Sequence, residues 1–401
     1  MNAAKDTAPP PATSTLDMRP LLLVNMACTM SMMAFVSLIG PIARLLGMAT
    51  WQAGAAVTVA GVVWVVLARP WGRAADRHGR RRVLLLGSAG FALAYWGLCL
   101  FIDGALRWLP GATLAFLGLM LARGLIGAFY AALPVGCNAL IADHVEPQRR
   151  AGAMASLGAA NAVGLVMGPA LAALLARHSL SLPFYIMSLL PATAFLVLLF
   201  KLKPQPLPQR HAPSPVRLAD PRLRRPLLVA FSAMLSVTVV QITVGFFALD
   251  RLQLGSAEAA QVAGIALTTV GVALILAQVL LRRLQWPPLK MIRVGASVSA
   301  LGFACAALAL SAPWLWASFF VAAAGMGFVF PAFSALAANA MQASEQGATA
   351  GSVGAAQGMG AVVGPLAGTL VYALDPRLPF LAVAALLLLV GLWPMPGAQR
   401  R

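Results

Sequence analysis

Charge is scarce in this chain. Only 10% of its 401 residues are Asp, Glu, Lys or Arg, while 60% are hydrophobic. A water-soluble domain carries about 25% charged residues, so a soluble multi-domain enzyme is excluded for want of polar surface. Acids are the scarcest of all, 11 against 29 Lys and Arg. None of them stands near the middle of an apolar run, which argues against a mid-membrane carboxylate as a proton carrier. The four cysteines, Cys28, Cys99, Cys137 and Cys305, lie far apart inside apolar runs with no metal-ligand spacing. They read as small apolar residues, and no metal site is expected. The four histidines (His78, His144, His178, His211) fall in loops or at run ends, so no His-rich catalytic cluster forms within the runs. A Gly-x-x-x-x-Gly-Lys-Ser/Thr phosphate loop is also missing, so direct nucleotide hydrolysis is not indicated and no cofactor is called for. Residues 1–18 are polar and proline-rich, and no cleavable leader is expected there.

What is present is a succession of long apolar runs. A run of about 20 residues spans a bilayer as a helix. Twelve such runs are expected, near 21–46, 53–71, 83–102, 112–141, 151–176, 183–200, 226–249, 259–281, 292–311, 314–339, 350–373 and 378–394. The longest polar interval, 201–225, is rich in Pro, Lys and Arg and suits a linker. The expected organisation is a tail at 1–20, a six-helix bundle over 21–200, the linker at 201–225, a second six-helix bundle over 226–394 and a tail at 395–401. The net charge of +18 does not imply nucleic-acid binding, because the cations cluster in short segments between runs. With the N-terminus cytoplasmic, 22 of the 29 Lys and Arg fall on the cytoplasmic side. That bias places both termini in the cytoplasm.

An internal repeat supports two halves. Residues 151–174 align without gaps to 347–370, with nine of 24 positions identical. Gly164-x-x-x-Gly168-Pro169 matches Gly360-x-x-x-Gly364-Pro365, and Asn161 matches Gln357. Small residues four apart let helices approach closely, and the prolines bend them. These six residues are expected to pack the two bundles against each other, and two parallel repeats of six spans are a transporter architecture.

Residues 72–82 hold five arginines around one carboxylate. The segment is expected to be a cytoplasmic loop between the second and third spans. Gly72 and Gly79 would permit close approach and a turn there, and Asp76 would accept hydrogen bonds from a helix N-terminus. Arg77 and Arg80 could pair with carboxylates, and Asp143, Glu146, Arg149 and Arg150 after the fourth span are placed to join them. Together these groups would form a conformational latch.

Gly72-x-x-x-Asp76-Arg77-x-Gly79-Arg80-Arg81 resembles the loop signature of the major facilitator superfamily. Arg123-x-x-x-Gly127 resembles that family's span-four arginine motif. Gly164-x-x-x-Gly168-Pro169 resembles the signature of its drug:proton antiporter branch, although Ala172-Ala173 stand where that branch usually carries a second glycine pair. The second-half counterpart of the loop, 282–290, lacks the Gly and Asp. The resemblance covers essentially the whole chain. It implies an all-α membrane protein of twelve transmembrane helices in two six-helix bundles, which is the major facilitator fold. It also implies alternating access around a central site and export driven by a proton gradient.

A buried arginine is costly in lipid, so Arg123 is expected to face a water-filled cavity or a partner. It suggests an anionic substrate or a part in proton coupling. Asn25, Tyr130, Asn161, Gln241 and Gln357 are further polar candidates for the cavity wall, since buried amides need partners. The reading is an inner-membrane exporter of a small organic molecule, with a siderophore or a drug-like compound as cargo. A proton-coupled importer and a membrane-embedded enzyme are the alternatives. The expected partners are the substrate and the lipid bilayer, with no nucleic acid, and the protein is expected to act as a monomer.

Overall fold

The computed structural model describes residues 16–203, 220–284, 286–341 and 346–393. Every regular element among them is helical: α1 (Arg19–Leu45), α2 (Thr50–His78), α3 (Arg80–Trp108), α4 (Ala112–Tyr130), α5 (Ala132–His144), α6 (Pro147–Leu175), α7 (Leu182–Lys201), α8 (Arg224–Asp250), α9 (Ser256–Leu284), α10 (Pro288–Ala307), α11 (Ala312–Asn339), α12 (Gln346–Tyr372) and α13 (Leu378–Leu392), with a 3-10 turn at Pro221–Leu223. Prolines start many of them. α1, α7, α10, α11 and α13 each carry Pro at the first or second position, where its missing N–H costs nothing. The tails and most of the linker lie outside the described residues. At the linker's end, the Asp220 side chain accepts from the Arg222 N–H and opens the 3-10 turn.

Two boundaries depart from the sequence expectation. The fourth span is interrupted at Ala131, between α4 and α5. Pro134 has no N–H to offer the Tyr130 carbonyl four residues back, so the ladder breaks there. The 72–82 segment, expected as a loop, is helical on both sides of Gly79. α2 runs through to His78 and α3 starts at Arg80, so the reversal rests on one residue. Gly79 holds φ 93° and ψ 145°, a conformation that only glycine adopts readily.

Ten helical segments are long and apolar enough to cross a membrane, with α4 and α5 together making one of 33 residues. α13 is apolar but shorter, and α12 is 27 residues long. Their outward faces carry Leu93, Leu121, Leu117, Val66 and Leu276 exposed. In water so much exposed apolar surface would drive aggregation, whereas against lipid tails it carries little cost. Inside, Phe35, Phe91, Tyr95, Phe184, Phe247 and Phe380 are fully buried.

The helices form two halves, α1–α7 and α8–α13. Within the halves α1 packs on α6, and α8 on α12; between them α2 lies against α12, α6 against α9 and α1 against α8. In the second half α10 and α11 cross at glycines. A Cβ on Gly295 would stand 2.6 Å from the Gly325 carbonyl oxygen, so the backbones are in direct contact.

Candidate functional site

Arg123 is the one fully buried charge among the described residues, 1% exposed. It projects from α4 into the first half. Its guanidinium lies 4.5 Å above the Phe35 ring of α1, and its Nε donates to the Ala56 carbonyl of α2 at 3.4 Å. Tyr95 of α3 lies beside it and donates its hydroxyl to the Ser31 carbonyl at 2.8 Å. One guanidinium nitrogen, Nη1, has no hydrogen-bond partner among the described residues. Arg123 therefore does not face the space between the halves. Its neighbours are an aromatic face and a helix carbonyl, which stabilise a desolvated cation without a counter-ion. Close packing makes the pocket possible: a Cβ on Gly127 would run into the Ala60 carbonyl, so α4 and α2 touch there.

The amides sort differently. Asn25 of α1 donates to the Leu157 carbonyl of α6 at 3.2 Å, and Thr29 donates to the Asn161 side chain. Tyr130 stands against Trp64 and Phe91 (centroids 5.6 and 6.0 Å) and lies within reach of Thr29. Tyr130, Thr29 and Asn161 thus form a polar chain across α4, α1 and α6. Gln241 and Gln357 are half-buried on α8 and α12.

The glycine-proline repeat requires a correction. Gly164, Gly168, Gly360 and Gly364 were expected between the bundles. A Cβ on Gly164 would instead meet the Met26 carbonyl and Thr29 at 2.8 Å, and one on Gly168 the Met30 carbonyl at 2.5 Å, all on α1 of the same half. Gly360 faces the Phe231 carbonyl at 2.5 Å, and Gly364 faces Thr238 and the Leu235 carbonyl on α8. The motif's glycine face knits each half together. Only the prolines reach across, because they stand about a quarter turn further round the helix. The Pro169 carbonyl faces Gly264 of α9, and the Pro365 carbonyl faces Gly54 of α2.

Those contacts reveal a second repeat that the sequence reading missed. Ala53-Gly54-x-Ala56-x-Thr58-x-x-Gly61-Val62 in α2 matches Ala263-Gly264-x-Ala266-x-Thr268-x-x-Gly271-Val272 in α9. Gly61 packs on Val362, and Gly271 on Val166, residues that are themselves equivalent. The signal lay in the sequence as a small-residue pattern at a constant offset.

All of these cross-half contacts lie toward one end of the molecule. Arg44 of α1 and Asp250 of α8 form an ion pair there, with the Tyr372 hydroxyl also donating to Asp250 at 2.9 Å. Gly40 touches the Gly245 and Phe246 backbone at 3.0–3.1 Å, in the sense of a Cβ placed on it. Gly79 lies at the opposite end. A Cβ on Gly158, Gly354 or Gly358 would meet nothing within 4 Å, and Val65 and Val66 of α2 are exposed. The ties between the halves recorded above thus cluster at the Arg44 end. The Arg44–Asp250 pair is partly exposed, so screening limits it to about 0.2–1 kcal/mol. We expect Asp250→Asn to raise the labelling rate of a cysteine placed beneath the seal by about two- to fivefold, since 1.4 kcal/mol is tenfold.

The arginine-rich segment is built on helix ends. Arg80 bridges two carboxylates, Asp76 at 2.5 Å and Asp143 of α5 at 3.1 Å. Asp76 is an exposed partner of Arg80 and does not cap α3, whose first turn has no side-chain cap. Gly72 has ordinary space around it, with Val135 the nearest atom at 3.7 Å from a Cβ, so no close approach requires it. Arg77 is exposed. Arg149 reaches only its neighbour Glu146 at 3.8 Å, and Arg150 donates to the Val145 carbonyl. Neither joins the 72–82 arginines, because each is held by its own turn. Arg81 does what the sequence reading did not foresee: it donates to the Leu202 and Leu199 carbonyls at 2.6 and 2.9 Å, capping α7. A cation at a helix C-terminus is favoured by the dipole. The cluster thus ties α2, α3, α5 and α7 into one body.

Long apolar helices in two repeat-related halves, tied to each other at one end, form the frame of a membrane transporter and not of an enzyme. The chain belongs to the Major Facilitator Superfamily, whose profile matches residues 21–365 and 290–398. Its curated relatives include tetracycline and multidrug resistance proteins. It is 28% identical over 326 residues to the tetracycline resistance protein, class D, of Salmonella ordonez, which covers 78% of each chain. It is 26% identical to the multidrug resistance protein MdtG of Salmonella heidelberg (strain SL476), covering 82% of this chain and 81% of the other. Among solved structures it resembles a bacterial homologue of the human lysosomal transporter Spinster in an inward-facing, unoccupied conformation. That likeness has a TM-score of 0.75 at 15% identity, covering 94% and 95% of the two chains. At that identity it speaks for the fold.

Proposed function

We propose that this protein exports a small, drug-like organic molecule across a bacterial inner membrane by proton antiport, as a monomer and without a cofactor. The observation that carries the reading is the likeness to tetracycline and multidrug resistance proteins, and the clustering of cross-half ties at the Arg44 end supports it. The Gly79 end holds the arginines of 73–82, the kind of cluster that stays cytoplasmic. On that orientation the ties at the Arg44 end would form the outer seal, and the halves would part toward the cytoplasm to load cargo. The reading keeps twelve spans, with both termini inside on that orientation. Asn25, Tyr130, Asn161, Gln241 and Gln357 would border the cargo route. Asp76, Arg80 and Asp143 would act as the latch that swings the cytoplasmic ends of the first half as one. The relatives' printed roles in tetracycline and multidrug resistance favour a drug-like cargo over a siderophore.

The test uses inverted membrane vesicles with an acidic interior and a tetracycline as probe. Accumulation that a protonophore abolishes is the expected result. Uptake confined to right-side-out vesicles would identify an importer and overturn the proposal.

A further inference from the structure

The two seams between the halves are equivalent by repeat but not by chemistry. In the α2–α12 seam, the Thr58 hydroxyl donates to the Val362 carbonyl at 2.9 Å and accepts from the Leu366 N–H at 3.2 Å. These two groups are four residues apart on α12, the donor and acceptor of a single helical turn. The side chain of one half is thus inserted into the backbone ladder of the other. Pro365 stands inside that same turn and cannot donate, which loosens the ladder enough to admit a hydroxyl.

Its equivalent in the α6–α9 seam behaves otherwise. Thr268 turns its hydroxyl back to the Gly264 carbonyl of its own helix at 2.7 Å. The side-chain contacts there are apolar, Ala173 on Gly264 and Val166 on Gly271. Thr268 shows the parked position open to Thr58, whose own i−4 carbonyl belongs to Gly54. A hydroxyl in an apolar seam needs some acceptor, and a threonine on a helix can always find this one.

We propose that Thr58 makes the two seams part differently. The α2–α12 seam opens only when Thr58 releases Val362 and Leu366 and turns back to its own helix, whereas the α6–α9 seam separates by sliding of apolar surfaces. Thr58 is thus a positioning residue that sets the stability of the closed outer seal. The inference concerns the chain's conformational equilibrium and needs no cargo, so it stands or falls independently of the export reading.

The experiment measures spin-label distances in the full chain in lipid nanodiscs. One pair (Trp51→Cys with Leu374→Cys) spans the α2–α12 seam, and another (His178→Cys with Ala257→Cys) spans the α6–α9 seam. Losing such a pair of hydrogen bonds shifts an equilibrium by about two- to tenfold. Thr58→Val is expected to raise the open population across the first seam by that factor and to leave the second unchanged. Thr58→Ser, which keeps the hydroxyl, is expected to match the wild type, as is Thr268→Val. Equal distances for Thr58→Val and wild type, or equal widening of both seams, would overturn the proposal. So would a Thr58→Ser variant as open as Thr58→Val, since a lost methyl and not the hydroxyl would then be the cause.

Discussion

Replacing Arg123 by methionine is expected to leave a protein that inserts and melts at or above the wild-type temperature but has lost transport by tenfold or more. The guanidinium is 1% exposed, has no carboxylate beside it and leaves Nη1 without a partner. Replacing such a buried ion by an apolar side chain of similar volume is often neutral or stabilising, by about 1–4 kcal/mol where it helps. Stability is therefore not what the arginine contributes. It holds α1 through Phe35 and α2 through Ala56. These two helices carry Gly40, Arg44, Gly54 and Thr58, the first half's contribution to the outer seal. A desolvated cation–π contact of about 2 kcal/mol corresponds to roughly thirtyfold in an equilibrium. Arg123→Lys keeps the charge without the planar fork and should fall between the two. Melting of the purified protein and uptake into proteoliposomes separate the effects. A methionine variant that transports normally would show that Arg123 is only a packing residue.

Gly168→Val is expected to abolish most folded protein, while Gly271→Ala leaves folding intact and alters only the balance of open and closed states. A Cβ on Gly168 would stand 2.5 Å from the Met30 carbonyl oxygen and 3.1 Å from the Met33 Cβ. The obstacle is backbone within one half, so no rotamer relieves it, and overpacking of this kind costs about 1–3 kcal/mol or more. Gly360→Val, against the Phe231 carbonyl and the Leu235 N–H, should do the same in the second half. Gly271 faces the Val166 side chain across a seam that has to part in each cycle. Monodisperse yield in detergent measures the first effect, and seam distances measure the second. A Gly168→Val protein that folds well but is locked in one conformation would restore the between-bundle reading of the motif.

Much of the architecture was legible because the membrane imposes strong rules. Apolar runs must be helices in lipid, and cations stay cytoplasmic, so run length and charge bias convey the class. The Gly79 turn could be read from its motif, but the length of the flanking helices could not. Charged residues at a helix end resemble a loop in sequence, yet Arg80 and Arg81 are ordered by Asp143 and by the α7 carbonyls. The break at Ala131 was legible in Pro134 and was passed over. The role of the glycine-proline repeat was not legible. Which neighbour a small-residue face meets depends on the rotation of the helix, and that is fixed by all of its contacts at once.

Sequence alone determined that this chain lives in a membrane, that it is built as two related halves, and that its only deeply placed charge is Arg123. Each follows from local composition and repetition, which lipid reads directly. The tertiary structure decided which surfaces seal and which open. It placed the glycines of the glycine-proline motif within halves, the prolines and Thr58 between them, and Arg123 buried against Phe35 within the first half. The physical reason is that equivalent sequence positions acquire different partners once two halves face each other. Thr58 and Thr268 are the same residue in the repeat, yet one binds across the seam and the other binds its own helix.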